Sequence, residues 1–434
     1  MLKQKILNKT AVLGVIGLGY VGLPLAVEKA KSGYKVIGFD IQQGKIDLVN
    51  KGVNYIGDVI NEDLNTIVQS GKLIATSDFS IISQLDCVSI CVPTPLDKNQ
   101  QPDISYVKSS AETVAKYIHK DMLVVLESTT YPGTTDELIK PILEASGLKC
   151  GIDFYLAFSP ERVDPGNLLY KTKNTPKVVG GITLKCTEIA ASLYEKVLEA
   201  PVFHASSPKV AEMEKILENI YRNINIGLIN ELAILCNKMG VNIWEVIEAA
   251  KSKPYGFQAF YPGPGLGGHC IPLDPYYLAW KAREYGFHTS MIESSMMIND
   301  RMPEYCVQRA AGILNRRFKL ALNGSEVLLL GVAYKQDIDD YRESPALKVM
   351  EHLESEGAHV LFYDPWVEEI KYKNGNRKGL KRLSEDILRA VDLVIITAGH
   401  TNIDYDFIQK NSKIIFDAKN AMKNIKIRDN IELL

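Results

Sequence analysis

The sequence predicts an α/β protein: two doubly wound domains joined by a long central helix and a small helical domain. Three observations carry that prediction. From residue 11 to about 205, short β-rich apolar runs alternate with longer amphipathic stretches, the texture of βαβ units on a parallel sheet. A single unbroken helical period follows, and near residue 325 the alternating texture returns. Two Rossmann-like halves around a helical middle are the simplest architecture, with expected boundaries at 1–205, 206–310 and 311–434.

The first half offers strands at Ala11–Gly17, Lys35–Asp40, Leu73–Thr76, Cys87–Val92, Leu123–Glu127, Tyr155–Phe158 and Lys177–Val179. Ser207-Pro208 then reads as a helix start, with Ser at the cap and Pro in the first turn. Met213, Ile216, Ile220, Ile224, Leu228, Leu232 and Leu235 recur every three or four residues, and Gly240 suits the C-terminal cap. A helix over Lys209–Met239 would span about 46 Å, long for one compact domain, so it reads as a connector and a dimer spine. The last third offers strands at Glu326–Ala333, His359–Tyr363, Leu393–Thr397 and Lys413–Phe416. It echoes the first: a strand, a glycine turn, a helix, then a strand ending in an aspartate, Asp40 in one case and Asp364 in the other.

Composition narrows the function classes. With 50 Lys+Arg against 52 Asp+Glu, the formal charge of −2 lacks the footprint of a general nucleic-acid binder. No run reaches the roughly 18 apolar residues of a membrane-spanning helix, and the N-terminus does not read as a signal peptide. The seven cysteines are odd in number and never spaced C-x-x-C, which points to a reduced cytoplasmic chain with no disulfide framework. No ligand set sits at metal-binding spacing.

Gly17-Leu18-Gly19-Tyr20-Val21-Gly22 follows an apolar strand, opens a helical stretch and precedes a strand ending in Asp40. In that setting Gly17 allows the tight turn, Gly19 lets the backbone approach a pyrophosphate, and Gly22 permits close helix–strand packing. The helix N-terminus offers free N–H groups to phosphate, with Tyr20 and Val21 part of the same cradle. Asp40 would accept hydrogen bonds from a ribose diol and repel a 2′-phosphate, which favours NAD over NADP. The fingerprint alone leaves other dinucleotides, such as FAD, open.

Residues 261–276, YPGPGLGGHCIPLDPY, are too rich in Gly and Pro for a helix or central strand. They would wrap the backbone around a ligand, with Cys270 at the end of the wrap and Asp274 four residues on, the pattern of an activated nucleophile and its supporting carboxylate. The other six cysteines read as small core residues. His269 reads as a substrate contact or a packed loop residue. On the long helix, Lys215 and Asn219 share a face, Asn223 extends it, and Glu212, Arg222, Asn225 and Asn230 lie nearby. Amides are poor helix formers, so a run of them suggests side chains in use. A lysine there would supply positive charge to an oxyanion.

Taken in order, VIGLGYVGLPLA (15–26), CVPTPLD (91–97), LESTTYPGTT (126–135), FSPERVDPGN (158–167), AEMEKILENIYRNINIGLINELA (211–233), GPGLGGHCIPLDPYYL (263–278) and AYKQDIDDYRESPA (333–346) resemble the UDP-glucose/GDP-mannose dehydrogenase family over essentially the whole chain. The resemblance implies an NAD-dependent four-electron oxidation of a nucleotide sugar at C6, through a thiohemiacetal and a thioester on Cys270, to a uronate. It implies catalytic roles for Cys270, Lys215, Asn219, Asp274, Glu161 and Thr129, with Thr129 holding the water and Glu161 acting as an acid/base. The cofactor side would include Thr94 and Thr129 beside the glycine turn. The substrate side would include Glu161, Arg162, Val163, Lys215, Asn219, Arg222, Tyr261, Gly267 and His269, with Lys335 and Arg342 on the UDP phosphates. A second acidic residue of the UDP-glucose enzymes has no clear counterpart, since Asp164 or Pro165 stands there. A cytoplasmic homodimer is the family habit.

The loop G-G-H-C-I-P-L-D-P-Y-Y looks like the UDP-N-acetylhexosamine branch, with UDP-N-acetylglucosamine favoured for a surface-polysaccharide precursor. UDP-N-acetylgalactosamine, UDP-N-acetylmannosamine and UDP-glucose are the alternatives. Two other readings compete: a one-step hydroxy-acid dehydrogenase using Lys215, and a non-catalytic nucleotide-sugar or NAD sensor. Neither gives the cysteine loop a purpose.

Overall fold

The computed structural model describes residues 1–434 except those at positions 165, 168, 269 and 374. The chain divides into two compact units, Met1–Glu218 with Tyr276–Phe287, and Asn219–Pro275 with His288–Leu434.

The first unit is built on β1 (Val12–Ile16), β2 (Lys35–Phe39), β3 (Leu73–Thr76), β4 (Cys87–Ile90), β5 (Leu123–Leu126), β6 (Tyr155–Phe158), β7 (Lys177–Gly181) and β8 (Val202–Ala205). Their order in the sheet is β3-β2-β1-β4-β5-β6-β7-β8. Near-continuous Val, Ile and Leu in these strands reflects burial on both faces. The order reverses between β1 and β4, which places the glycine turn after β1 at a topological switch point. The sequence reads as a parallel sheet, but one pairing departs from it: β7 runs antiparallel to β6. A parallel neighbour would need a crossover over one face of the sheet. Among its described residues the β6–β7 link contains only a short 3₁₀ turn, Thr172–Asn174, and no crossover helix, so the chain returns reversed.

The second unit carries β9 (Glu326–Leu330), β10 (His359–Tyr363), β13 (Leu393–Ile396), β14 (Ile415–Asp417) and β15 (Ile431–Leu433), in parallel order β10-β9-β13-β14-β15. A hairpin of β11 (Glu369–Tyr372) and β12 (Gly375–Lys378) is separate from it. The long helix runs from Pro208 to Met239, and the boundary between the units falls within it. A second long helix, Ser290–Phe318, contains Pro303 and went unread in the sequence because its apolar positions lack a clean stripe. Strand ends differ from expectation by a few residues: Gly17, Asp40, Val92, Glu127 and Thr397 lie just beyond their strands, in the turns where ligands of such sheets bind.

Among the described residues, no helix is long and apolar enough to cross a membrane, and no cluster of His, Cys, Asp and Glu could hold a metal ion. None of the seven cysteines takes part in a disulfide among the described residues. Cys87, Cys91, Cys186 and Cys306 are buried as expected, whereas Cys150 and Cys236 are half-buried. Burial lifts the Cys87 thiol to about 12, so it is inert.

Candidate active site

In the first unit the glycine turn separates into three geometries. Gly17 has φ +91°, and a Cβ there would lie 2.6 Å from the Cys91 carbonyl oxygen. A Cβ on Gly22 would meet the Gly17 carbonyl at 1.8 Å, so the helix Gly22–Lys31 sits on the turn only because residue 22 has no side chain. A Cβ on Gly19 meets nothing within 4 Å. Nothing in the protein demands glycine at 19, so the open space over it fits the close approach of a pyrophosphate. Tyr20 is exposed and Val21 partly buried beside it.

Asp40 is buried, and its carboxylate accepts from the Leu18 N–H at 3.0 Å and the Gln42 N–H at 2.9 Å. It therefore braces the turn, and each oxygen retains a lone pair for a diol. The Thr94 carbonyl accepts from the Tyr277 hydroxyl. Thr129 lies half-buried between Ser128 and Thr130, and Ser128 Oγ donates to the Val92 carbonyl at 2.7 Å.

The turn after Thr129 is latched by a residue that the sequence brought forward only as a neighbour. Glu212, fully buried on the long helix, accepts from the N–H groups of Gly133 and Thr135 at 2.5 and 2.9 Å and from the Thr135 hydroxyl at 2.7 Å. Burial outweighs these donors and pushes its carboxyl up to about 7. Lys215, one turn along, is 5% exposed, and no hydrogen bond or ion pair reaches its ammonium among the described residues.

After β6, Glu161 Oε1 accepts from the N–H groups of Arg162 and Val163 at 2.8 and 3.0 Å. The Arg162 guanidinium is taken up by Glu218, by Glu214 at 3.4 Å and by the Pro176 carbonyl at 3.0 Å. It thus ties the loop to the helix and leaves little of its fork for a substrate.

In the second unit the amide stripe has a defined use. Asn219 donates to the Asp274 carboxylate, Asn223 donates to the Ile271 carbonyl at 3.1 Å, and Asn230 accepts from the Gly263 N–H at 3.0 Å. Three asparagines from one helix therefore hold the glycine-rich loop at three points along its length. Arg222 donates to the other oxygen-bearing end of Asn219, which fixes the amide orientation. The Asp274 N–H returns to the Cys270 carbonyl at 3.0 Å, closing the turn that opens the helix Asp274–Ala282. Cys270 is exposed, the opposite of the core cysteines.

The glycines of this loop answer to packing. A Cβ on Gly267 would lie 2.5 Å from Tyr334 Cβ, and Gly268, at φ +79°, would meet the Tyr334 ring at 3.0 Å. Gly267 is thus demanded by the protein itself. Tyr261 stacks on Trp244 at 6.0 Å and donates to Glu248 at 2.8 Å. His269 lies outside the described residues. Lys335 and Arg342 share the loop after β9 that begins beside Tyr334, and Asp340 grips the Arg342 fork at 2.8 and 2.6 Å. Asp364, at the place equivalent to Asp40, accepts from Val332 and Ala333 N–H at 2.7 and 2.9 Å and faces His400 Nε2 at 3.1 Å. Against burial, His400 and the backbone donors hold this carboxyl below its usual range. The second glycine turn is thereby closed internally.

One switch-point turn open to a dinucleotide, a second closed turn beside the loop that carries Lys335 and Arg342, and an exposed cysteine over a buried Asn–Asp pair define a dehydrogenase for nucleotide-bearing substrates. The chain belongs to the UDP-glucose/GDP-mannose dehydrogenase family, whose NAD binding, central and UDP binding domains match residues 11–198, 209–301 and 328–424. It is 39% identical to protein CapL of Staphylococcus aureus over 95% of this chain and 96% of that one. It is 35% identical to a UDP-N-acetyl-D-glucosamine 6-dehydrogenase of Pseudomonas aeruginosa, over 95% and 97%. The solved UDP-D-ManNAc dehydrogenase of Pyrococcus horikoshii superposes with a TM-score of 0.89 at 34% identity, covering 97% of this chain and 98% of that one. The protein is an NAD-dependent nucleotide-sugar 6-dehydrogenase with a UDP-sugar as substrate.

Proposed function

We propose that the protein oxidises the C6 hydroxyl of a UDP-N-acetylhexosamine, UDP-N-acetylglucosamine first, to the uronate, as a precursor for surface polysaccharide. The observation that carries this reading is Cys270, exposed at the end of a loop held by three asparagines and backed by the buried Asn219–Asp274 pair. NAD, when bound, accepts a hydride at each of two oxidation stages. Cys270 adds its sulfur to the aldehyde from the first stage, giving a thiohemiacetal. Loss of two further electrons leaves a thioester, and water cleaves it to release the uronate and the thiol.

Asp274 orients the cysteine turn, Asn219 and Lys215 stabilise developing oxyanion charge, and Thr129 holds the attacking water. Glu161 serves the acid–base step. On the cofactor side, Gly17, Gly19, Tyr20, Val21 and Gly22 receive the pyrophosphate, and Asp40 receives the ribose, with Thr94 alongside. Arg162, Val163, Arg222, Tyr261, Gly267 and His269 surround the sugar. Lys335 and Arg342 hold the UDP phosphates, with Arg342 released from Asp340 as it takes up charge. The exposed Leu217, Tyr221, Leu228 and Leu235 on the long helix support a homodimer.

The likeness to the P. horikoshii enzyme favours UDP-N-acetylmannosamine as the second reading, ahead of the galacto epimer and UDP-glucose. The test is NADH formation over a panel of UDP-sugars with mass spectrometry of products. Two NADH per UDP-N-acetylglucosamine and a product heavier by the mass of one oxygen less two hydrogens are expected. One NADH per sugar, or turnover confined to UDP-glucose, overturns the reading.

A further inference from the structure

β7 runs against β6, so its first residue, Lys177, stands at the sheet edge where β1, β4, β5 and β6 end. Strands parallel to β6 bring their last residues to that edge, and only a reversed strand brings its first. Lys177 is 4% exposed, and its ammonium donates to Glu127 Oε2 at 2.7 Å and stands 3.4 Å from Glu161 Oε2. Glu127 is itself buried beneath three further groups. Tyr194 donates to its Oε1, Ser89 Oγ donates to the same oxygen at 3.1 Å, and Lys29 donates to Ser89 Oγ at 2.7 Å. Burial opposes charge on Lys177, yet Glu127 and Glu161 outweigh it and hold the ammonium above its ordinary value. Glu127 stays ionised for the converse reason, since Lys177 and Lys29 outweigh its burial.

Such a network is a poor way to stabilise a core, because apolar residues of similar volume are often as good or better. What it supplies is location. Glu127 immediately precedes Ser128 and Thr129, and Glu161 carries the turn into Arg162 and Val163. We propose that Lys177 is a positioning residue that couples these two turns, fixing Glu161 against the Ser128–Thr129 turn through Glu127. With Oε1 accepting from two backbone N–H groups and Oε2 facing Lys177, the Glu161 carboxylate is held in one orientation and keeps its loop in shape. This deepens the proposed function and rests on its placing of Glu161 and Thr129 in the site.

The test compares Lys177→Met, Lys177→Arg and the double variant Glu127→Gln/Lys177→Met by hydrogen exchange and by kinetics. Lys177→Met should speed exchange at the Arg162 and Val163 amides at least tenfold and lower kcat at least tenfold, with the KM for NAD within twofold of wild type. Lys177→Arg should recover most of both. If the single charge deletion prevents folding, the double variant, which removes both charges, should fold and still show fast exchange and slow turnover. Wild-type exchange and kcat in Lys177→Met or in the double variant, or an arginine variant no better than methionine, overturns the proposal. Exchange needs no substrate, so failure of the wild-type protein to reduce NAD with any UDP-sugar would defeat the proposed function while leaving Lys177 to be judged by exchange alone.

Discussion

The side-chain amide of Asn219 donates to the carboxylate of Asp274, and the two are 0% and 3% exposed. A buried carboxylate that loses a donor carries a desolvation penalty of about 2 kcal/mol. Asn219→Ala should therefore lower kcat/KM for the UDP-sugar by roughly thirtyfold or more, with the loss mainly in kcat. Steady-state kinetics beside a melting curve check this, and wild-type turnover in the alanine variant would contradict it.

Cys270 is exposed where the other cysteines are buried or half-buried. Cys270→Ala should release uronate at least about a thousandfold more slowly, as expected when a nucleophile is removed. Its melting temperature should stay near wild type. Product quantification by mass spectrometry is the measurement, and a chain that reacts by a one-step route would keep its rate.

Gly19 and Gly22 should respond differently to the same substitution. Gly22→Ala places a methyl 1.8 Å from the Gly17 carbonyl, so the helix must shift and the protein should melt several degrees lower. Gly19→Ala has open space and should fold as wild type. It should nevertheless raise the KM for NAD about tenfold or more, because the methyl occupies the approach to the pyrophosphate. Thermal melts paired with NADH fluorescence titration separate the two.

Glu212 makes folding pH-dependent. Its carboxyl sits at about 7 in the folded protein against an ordinary 4.5. Between those values the folded chain binds more protons than the unfolded one, so stability falls as pH rises from about 4.5 to 7. The fall is about 3 kcal/mol for this one group. Gln resembles the protonated acid and lacks the titration. The urea stability of wild type minus that of Glu212→Gln should therefore drop as pH is raised from 5 to 7.5. Parallel curves would show that the carboxyl ionises normally.

How much of this could be read in advance depended on distance along the chain. The glycine turn was legible because its parts act within a few residues: Gly17 turns, Gly22 packs on Gly17, and Asp40 closes one βαβ unit. The amide stripe on the long helix was legible as side chains in use, since amides have little reason to stand in a helix. Their partners were not, because Ile271 and Gly263 are 48 and 33 residues away from Asn223 and Asn230. The Arg162 contacts were hidden for a similar reason, as Glu218 lies 56 residues on.

The sequence by itself determined the two doubly wound folds, the glycine turn after β1, the family and the unusual cysteine loop, since each rests on local periodicity or on residues close together in the chain. Only the tertiary structure decided the direction of β7, which depends on how the β6–β7 link returns and not on any local propensity. That reversal brings Lys177 to the edge where Glu127 and Glu161 stand, 50 and 16 residues away. Tertiary packing also decided that Asp40 leaves its turn open while Asp364 seals its own, because the carboxylates are alike in sequence and differ in the donors folded around them.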